Sequence, residues 1–170
     1  MSELTNYFKY DTLTGCIAQV EYEHREIHAG GHYVASFIST LAVSATADFL
    51  FRTGTKSLHL TGNVNSDQAG RVYFYEGGTM TANGATFASF NNNRNSSNTS
   101  TCAIFSGPTV SDAGTQIFCE ASGGRKQSGF IDRNREFVLR PNEVYMFRYM
   151  SDVASNTVSG VFEWYEESNY

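Results

Sequence analysis

The alternation of apolar and polar positions along the chain predicts many short strands separated by turns. Short segments rich in aromatic and β-branched side chains are bounded by Gly, Asn or Asp, which is typical of strands. The segments after residue 30 are HYVASFIS, ADFLF, SLHLTGNV, RVYFYEG, TCAIFSG, GTQIFCEAS, EFVLR, VYMFRYM and VSGVFEWYEE. In SLHLTGNV, a period of two places Leu58, Leu60 and Val64 on one face.

An earlier strand-like segment begins at Gly15 and carries Ile17, Val20, Tyr22 and Ile27. We expect it to pair with HYVASFIS as a hairpin. The whole pattern predicts about ten strands and no helix longer than a turn, which favours an all-β sandwich or barrel, with a jelly roll as first choice. Because no repeat and no linker divides the chain, we predict a single β-sandwich domain over residues 15–170, preceded by an N-terminal arm over residues 1–14.

Two polar, turn-rich tracts interrupt the strand pattern, at residues 91–100 and 122–129. Long segments without secondary structure are uncommon in compact domains and are often functional. The tracts either contact a neighbouring molecule or are simply solvated. Shortly before the first tract, Asn83-Gly84 is the dipeptide that most often signals a hairpin turn.

Composition narrows the classes of partner. The chain has 13 Phe and 10 Tyr among 170 residues, which favours a core between sheets. Its formal net charge of −5 lacks the basic footprint that binding to phosphate backbones requires, so we expect no nucleic-acid partner. No apolar run is long enough for a membrane span, and the N-terminus does not read as a signal peptide, so we expect synthesis in the cytosol and no membrane partner.

The spacing of three histidines suggests a metal site, but a pair of glycines between them argues against it. His24, His28 and His32 recur every four residues, which would align them on one face of a helix. Gly30-Gly31 interrupts that helix, so we expect surface or interface histidines and no metal. No GxSxG elbow, HExxH, P-loop or dinucleotide turn is present. We therefore predict no cofactor, no catalytic residue and no enzymatic activity.

Carboxylates and cysteines allow weaker alternatives. Glycoside hydrolysis needs two carboxyls ~5 to 9.5 Å apart, which Glu21 with Glu23, or Glu163 with Glu166 and Glu167, could supply. Charges at a strand edge are the favoured interpretation. The cysteines are an odd set without CxxC spacing, so we interpret them as small buried hydrophobes. They are Cys16, Cys102 and Cys119.

The remaining signal is a surface rich in Asn, Ser, Thr and Tyr with few charges. This composition is typical of adaptable protein-contact surfaces. We therefore expect a binding protein. A carbohydrate-binding lectin uses the same residue types and stays open as an alternative, and a small hydrolase is the third.

A series of motifs resembles small virion proteins of tailed bacteriophages, the capsid decoration or cement proteins. In that family a YEG turn, an NG turn, an Asn-rich loop, a PTV segment, a basic Gly-rich turn and a closing WYE follow in order. Here they are Tyr75-Glu76-Gly77, Asn83-Gly84, Asn93 to Ser100, Pro108-Thr109-Val110, Gly123 to Lys126 and Trp164-Tyr165-Glu166. Together with the upstream EIHAGGHYVASF, the likeness runs from about Ile27 to Glu166.

The resemblance implies a β-sandwich or jelly-roll protomer that forms a homotrimer on the outer surface of a phage capsid. Its partner would be the major capsid protein, whose subunit contacts it would stabilise. The virion would be its final location after synthesis in the host cytoplasm. A receptor- or glycan-binding β-domain of a phage tail or head fibre stays open as the alternative. The expected contact residues lie in the arm, the first loop tract and the basic turn: Tyr7, Phe8, Tyr10, Asn93, Arg94, Asn95, Ser96, Asn98, Arg125 and Lys126.

Overall fold

The fold is described from a computed structural model, which covers residues 8–10, 17–19, 22–122, 128–131 and 136–167. This part of the chain contains sixteen strands and one helix, α1 (Tyr22–Ala29). The strands are β1 (Phe8–Tyr10), β2 (Ile17–Gln19), β3 (His32–Leu41), β4 (Thr46–Arg52), β5 (Ser57–Ser66), β6 (Gly70–Glu76), β7 (Thr79–Ala82), β8 (Ala85–Phe87), β9 (Phe90–Asn91), β10 (Ala103–Ser106), β11 (Thr109–Asp112), β12 (Thr115–Ser122), β13 (Ser128–Ile131), β14 (Phe137–Leu139), β15 (Val144–Ser151) and β16 (Asn156–Glu167). Within the described ranges no helix has the length and hydrophobicity of a membrane span.

Two antiparallel sheets pack face to face, which confirms the predicted all-β sandwich. The front sheet has the order β13-β5-β16-β3-β9, with β14 also paired to β5. The back sheet has the order β12-β6-β15-β4-β10-β8. Two further pairs, β1 with β2 and β7 with β11, form small sheets of their own.

The main ladders are nested along the chain. β3 pairs with β16 and β4 pairs with β15. Inside these, β5 pairs with β13 and β14, and β6 pairs with β12. Successive strands from β3 to β6 therefore alternate between the front and back sheets, and the returning strands alternate in the same way.

The core lies between the sheets and is built around aromatic rings. Phe162 is fully buried, and its ring centroid lies 5.4, 5.1 and 5.0 Å from those of Phe49, Phe51 and Phe147. These contacts join the front strand β16 to the back strands β4 and β15, with the edge-to-face geometry that aromatic pairs favour. The predicted face of β5 is confirmed, since Leu58, Leu60 and Val64 are all buried.

A bent two-stranded ribbon crosses the outer face of the back sheet, and we call it the strap (residues 77–87 and 103–114). It continues the β6–β12 pair through β7–β11 into β8–β10. β6 and β12 lie at one edge of the back sheet, whereas β8 and β10 lie beyond β4 at the other edge. The ribbon must therefore cross β15 and β4 to join these two edges.

Burial on the outer face of the back sheet agrees with this path. Leu50 and Met146 alternate with core residues and so face outward, yet they are 0% and 1% exposed. In the strap, Met80 and Val110 lie opposite each other and are half-buried. The Arg52 guanidinium, on the same outer face, donates hydrogen bonds of 3.0 and 2.8 Å to Asn83 Oδ1. The strap thus gives the back sheet an apolar cover.

Glycines with positive φ mark the four bends of the strap: Gly77, Gly84, Gly107 and Gly114. The hairpin predicted at Asn83-Gly84 is wrong. Gly84 instead bends the chain from β7 into β8, and each of these strands pairs with a partner 17 to 33 residues away. A local turn signal cannot distinguish a hairpin from a bend, because both need the same left-handed residue.

The segment between β2 and β3 is a helix, which corrects two predictions. A strand does occur at Ile17–Gln19, but α1 spans eight residues and no hairpin joins this region to β3. Gly30, at φ 74°, ends the helix: Gly30 N–H donates to Ile27 O at 3.0 Å and Gly31 N–H donates to Glu26 O at 2.9 Å. The glycine pair is therefore a helix C-cap.

We predict that the strap bends differ in their tolerance of a side chain. A Cβ at Gly84 would lie 2.2 Å from Ser106 O, whereas one at Gly107 would meet nothing within 4 Å. Gly107→Ala should cost only the left-handed strain of about 1–2 kcal/mol. Gly84→Ala should lower the free energy of unfolding further in urea titrations, because the strap backbone must move. Equal losses in the two variants would argue against tight seating of the strap.

Candidate functional site

The first loop tract, which we call the asparagine loop (residues 91–100), lies at an edge of the front sheet. Its first residue belongs to β9, which pairs with β3 through Tyr33↔Asn91 and Val34↔Phe90. Asn92 N–H also donates to His32 O at 3.0 Å. The loop is therefore fastened to the sheet at its start, next to the C-terminal end of α1.

Asparagine side chains of the loop cap the end of α1. The Nδ2 groups of Asn91 and Asn98 donate to Gly30 O at 2.9 and 3.1 Å. The Nδ2 group of Asn93 donates to His28 O at 3.1 Å. The last carbonyls of a helix have no intrahelical partner, so these amides satisfy groups that otherwise need water. Asn93 and Asn98, both predicted contact residues, thus also have a role in the fold.

The loop also bonds to itself through short side chains. Asn93 N–H donates to Asn91 Oδ1 at 2.9 Å, and Asn95 N–H donates to Asn93 Oδ1 at 3.1 Å. Asn98 N–H donates to Ser96 Oγ at 3.2 Å. Turns of this kind stand in for backbone pairing. The loop has a defined conformation although it contains little regular secondary structure.

Glu166 holds the far end of the loop. Its Oε1 accepts hydrogen bonds from Ser100 Oγ at 2.5 Å, Thr101 N–H at 2.8 Å and Cys102 N–H at 3.2 Å. Trp164 Nε1–H donates to the same Ser100 hydroxyl at 3.1 Å. We call this group the Glu166 clamp. Carboxylate acceptors of this kind form the stronger class of hydrogen bond.

The clamp corrects the interpretation of Glu166 as a strand-edge charge, since the residue is only 7% exposed. The sequence held a signal for this. Glu166 has the same parity on β16 as the buried Phe162 and Trp164, so it is a polar residue at an inward-facing position.

Burial near the clamp raises the pKa of two neighbouring side chains, one of them a cysteine. Desolvation and, secondarily, the charge of Glu166 raise the pKa of Tyr33 and of the Cys102 thiol. Cys102 is buried as predicted, but Cys119 is exposed, which corrects that prediction. Cys119 pairs with Tyr73 on the outward-facing register of β6 and β12. Cys16 lies outside the described residues.

Two clefts border the asparagine loop. The larger, of about 570 Å³, is lined by the end of α1, Tyr33, Lys56, residues 97–99 and Glu166, with Glu26 at its side. The smaller, of about 340 Å³, is lined by Tyr33, Phe90, Arg94 and residues 96–100. The larger cleft contains two carboxylates, but Glu166 Oε1 already accepts three hydrogen bonds. For Glu166, a role in hydrogen bonding is therefore better supported than a role as a reactive carboxylate.

Phe90 and Arg94 form an exposed pair in this region. The Arg94 guanidinium carbon lies 5.6 Å from the centroid of the Phe90 ring, a cation–π contact. Phe90 is 55% exposed, and Arg94 and Asn95 are also exposed. Aromatic residues and Arg are the types that most often dominate binding energies. Phe90 was missed from the sequence, although a lone aromatic residue within a polar tract was a usable signal.

The other predicted contact residues are not brought into this site by anything the structure describes. Phe8 and Tyr10 belong to β1, whose backbone pairs with β2. Tyr7, Arg125 and Lys126 lie outside the described residues. The predicted boundary at residues 14–15 falls between β1 and β2 and stays a prediction.

The histidines separate into a pair and a single buried residue. His32 lies on β3, is 2% exposed, and its Nδ1 is 2.8 Å from Asn92 Nδ2, while its Nε2 is 3.4 Å from Glu23 Oε1. His24 and His28 lie on α1, so the argument that glycine breaks their helical spacing was wrong for these two. Within the described ranges, no group of three or more His, Cys, Asp or Glu is arranged to hold a metal.

Comparisons of the chain with protein-family models, curated proteins and solved structures give no match. Inferences about function therefore start from the geometry above.

We predict that the Glu166 clamp controls the order of the loop. Glu166→Gln should weaken three hydrogen bonds to a charged acceptor and cost about 1–3 kcal/mol. Hydrogen exchange at the Thr101 and Cys102 amides should accelerate. Glu163→Gln is the matched control, because Glu163 lies on the outward face of the same strand. If both variants exchange like the wild type, the clamp does not hold the loop.

Proposed function

We propose that the chain is a structural virion protein, a homotrimeric decoration protein that binds the outside of a phage head and stabilises contacts between major capsid subunits. The observation that carries this proposal is the unequal covering of the two sheets. The strap covers the outer face of the back sheet at Leu50 and Met146. On the front sheet, Glu23 of α1 lies 3.4 Å from the buried His32 at one end, whereas the part around Ile38 and Val161 stays accessible, with these side chains 76% and 36% exposed. This accessible part presents contact surface.

One half of the outer face of the front sheet carries His32, His59, Tyr165 and Glu167, with Glu136 paired to His59. The other half is poor in charge. Its outward-facing residues on the three central strands are Val34, Ser36, Ile38, Thr40, Thr157, Ser159, Val161, Glu163, Thr61, Asn63 and Asn65. Glu163 is the single charged residue in this half, and Ile38 is 76% exposed. Exposed apolar side chains surrounded by small polar ones resemble the core and rim of a protein interface. We assign this face to a second copy of the chain in the trimer.

The nested strand pairing supports a jelly-roll fold for the protomer. Folding one long antiparallel hairpin of eight strands over itself pairs its first strand with its last and so on inward, in two sheets. The ladders from β3–β16 to β6–β12 have this order. Jelly rolls are frequent in viral capsid and lectin domains, so this fold supports the proposal by analogy alone.

The motifs that carry the resemblance coincide with elements that determine this fold. Gly77 and Gly84 of the YEG and NG motifs are bends of the strap. The Asn-rich motif is the loop that caps α1, and Glu166 of WYE is the clamp. Related sequences that keep these motifs would keep the strap and the loop. Gly123 to Lys126 lie outside the described residues.

Attachment to a shell needs only modest contacts if each trimer makes three of them, because linked contacts act at high effective concentration. The net charge of −5 supports a protein partner rather than nucleic acid. No membrane partner is proposed. Synthesis in the host cytoplasm and a final place on the capsid surface complete the proposal.

We predict that a charge on the front face prevents trimer formation. Ile38→Asp places a carboxylate at the centre of the proposed interface, where its desolvation opposes association. Val43→Asp is the matched control, since Val43 is 58% exposed in the turn between β3 and β4. Sedimentation should show trimers for the wild type and Val43→Asp, and monomers for Ile38→Asp. A trimeric Ile38→Asp variant would place the interface elsewhere.

We predict that the N-terminal arm contributes more to capsid attachment than Arg94 does. Deleting residues 1–12 should spare the sandwich, because β1 pairs with β2 and lies outside both large sheets. The deletion removes three aromatic side chains worth about 1.5 to 3 kcal/mol each before ordering costs, whereas an exposed charge contributes ~1 kcal/mol or less. Co-sedimentation with undecorated heads should therefore show a steep loss for the deletion and a small loss for Arg94→Ala.

Two outcomes would contradict this assignment. If the truncated chain binds as well as the wild type while Arg94→Ala is released, the asparagine loop is the anchor. If the wild type itself fails to bind undecorated heads, the decoration role is wrong.

Glycan binding is the second candidate, and the larger cleft favours it. Lys56, Asn98 and Glu166 offer both donors and acceptors around a concave space of about 570 Å³. A glycan-array signal that Lys56→Ala removes would favour this role. The hydrolase alternative would require turnover of a glycoside, ester or phosphoester substrate by the purified chain.

A further inference from the structure

The exposed face of α1 carries two histidines whose side chains point at each other. His24 and His28 are one helical turn apart, and their Nε2 atoms are 3.1 Å apart. Their ring centroids are 4.6 Å apart with an interplanar angle of 73°. Both residues are exposed, so solvent ions reach them.

The spacing of these nitrogens matches the requirement of one metal ion with two imidazole ligands. Metal–nitrogen bonds of about 2.0–2.1 Å place two adjacent ligand nitrogens ~2.9 Å apart at a right angle and ~3.3 Å apart at the tetrahedral angle. The observed 3.1 Å falls between these limits. The helix sets the spacing, since residues i and i+4 are neighbours on its surface.

We propose that His24 and His28 form a binding site for a divalent transition metal, Cu²⁺, Ni²⁺ or Zn²⁺. Imidazole nitrogens suit these ions, whereas Mg²⁺ and Ca²⁺ prefer oxygen ligands. Two protein ligands leave the other coordination positions to water, so the ion exchanges freely. The site does not depend on the proposed function, and either can fail without the other.

The ion would support both the helix and the asparagine loop. α1 has eight residues, and helices of this length are marginal without outside contacts. A metal joining His24 to His28 spans its last turns, where His28 O and Gly30 O accept hydrogen bonds from the loop. Binding to the folded helix alone raises the stability of this region by mass action.

Binding of Ni²⁺ to the full chain tests the site, because Ni²⁺ does not oxidise thiols. The variants are His24→Ala, His28→Ala and the double substitution. The matched control is His59→Ala. His59 lies on β5, and its Nδ1 is 2.6 Å from Glu136 Oε1, so it takes no part in the pair on α1. Either single substitution should weaken binding at least about tenfold, and the double one should add little, as expected of two ligands that act as a unit.

A second readout separates metal binding from a simple hydrogen bond between the rings. Ni²⁺ should raise the melting temperature of the wild type and of His59→Ala, and a chelator should reverse the rise, while Mg²⁺ should have no effect. An N–H···N bond alone predicts no metal effect on any variant. If the wild type binds Ni²⁺ no more tightly than the double variant, the site does not exist.

Discussion

Packing of the strap against the back sheet is the constraint on which the rest of the molecule depends. The strap leaves the sheet at β6, crosses Leu50 and Met146, and rejoins the sheet beyond β4. That path delivers β9 and the asparagine loop to the opposite edge of the sandwich, where β9 adds to β3. The same crossing covers Leu50 and Met146 on one outer face, whereas Ile38 on the other outer face is 76% exposed. Both the place of the loop and this difference between the two faces follow from the crossing.

Polar groups then fix the loop that the strap delivers. The side-chain amides of Asn91, Asn93 and Asn98 donate hydrogen bonds to carbonyls at the end of α1. Glu166 accepts hydrogen bonds from Ser100, Thr101 and Cys102 at the other end of the loop. A loop ordered in this way loses little entropy when it meets a partner, which is the advantage of preorganisation in binding. The residues that a reader of the sequence would assign to contact are therefore partly structural. The exposed pair of Phe90 and Arg94 remains available for contact.

The proposed binding role has one physical feature of the protein in its favour. Glu166 in the clamp and the Arg148–Asp48 pair at 2.7 Å on the back sheet are engaged in hydrogen bonds that stabilise the fold. Around Ile38 on the front sheet, the exposed groups are mainly apolar, amide and hydroxyl side chains. Such groups contribute contact area and hydrogen bonds, which suits a protein that reinforces a larger assembly.

The sequence by itself determined the elements whose causes are local. Period-two alternation identified the long strands and the buried face of Leu58, Leu60 and Val64, because side chains alternate across any strand whatever its partner. Only the tertiary structure decided which strands pair, that Asn83-Gly84 bends a strap instead of closing a hairpin, and that Glu166 is buried. It also decided that Gly30-Gly31 ends a helix, since an eight-residue polar helix depends on the loop that caps it. These features arise from contacts between residues far apart in the chain, up to 133 positions for His32 and Tyr165, and no local pattern records such contacts.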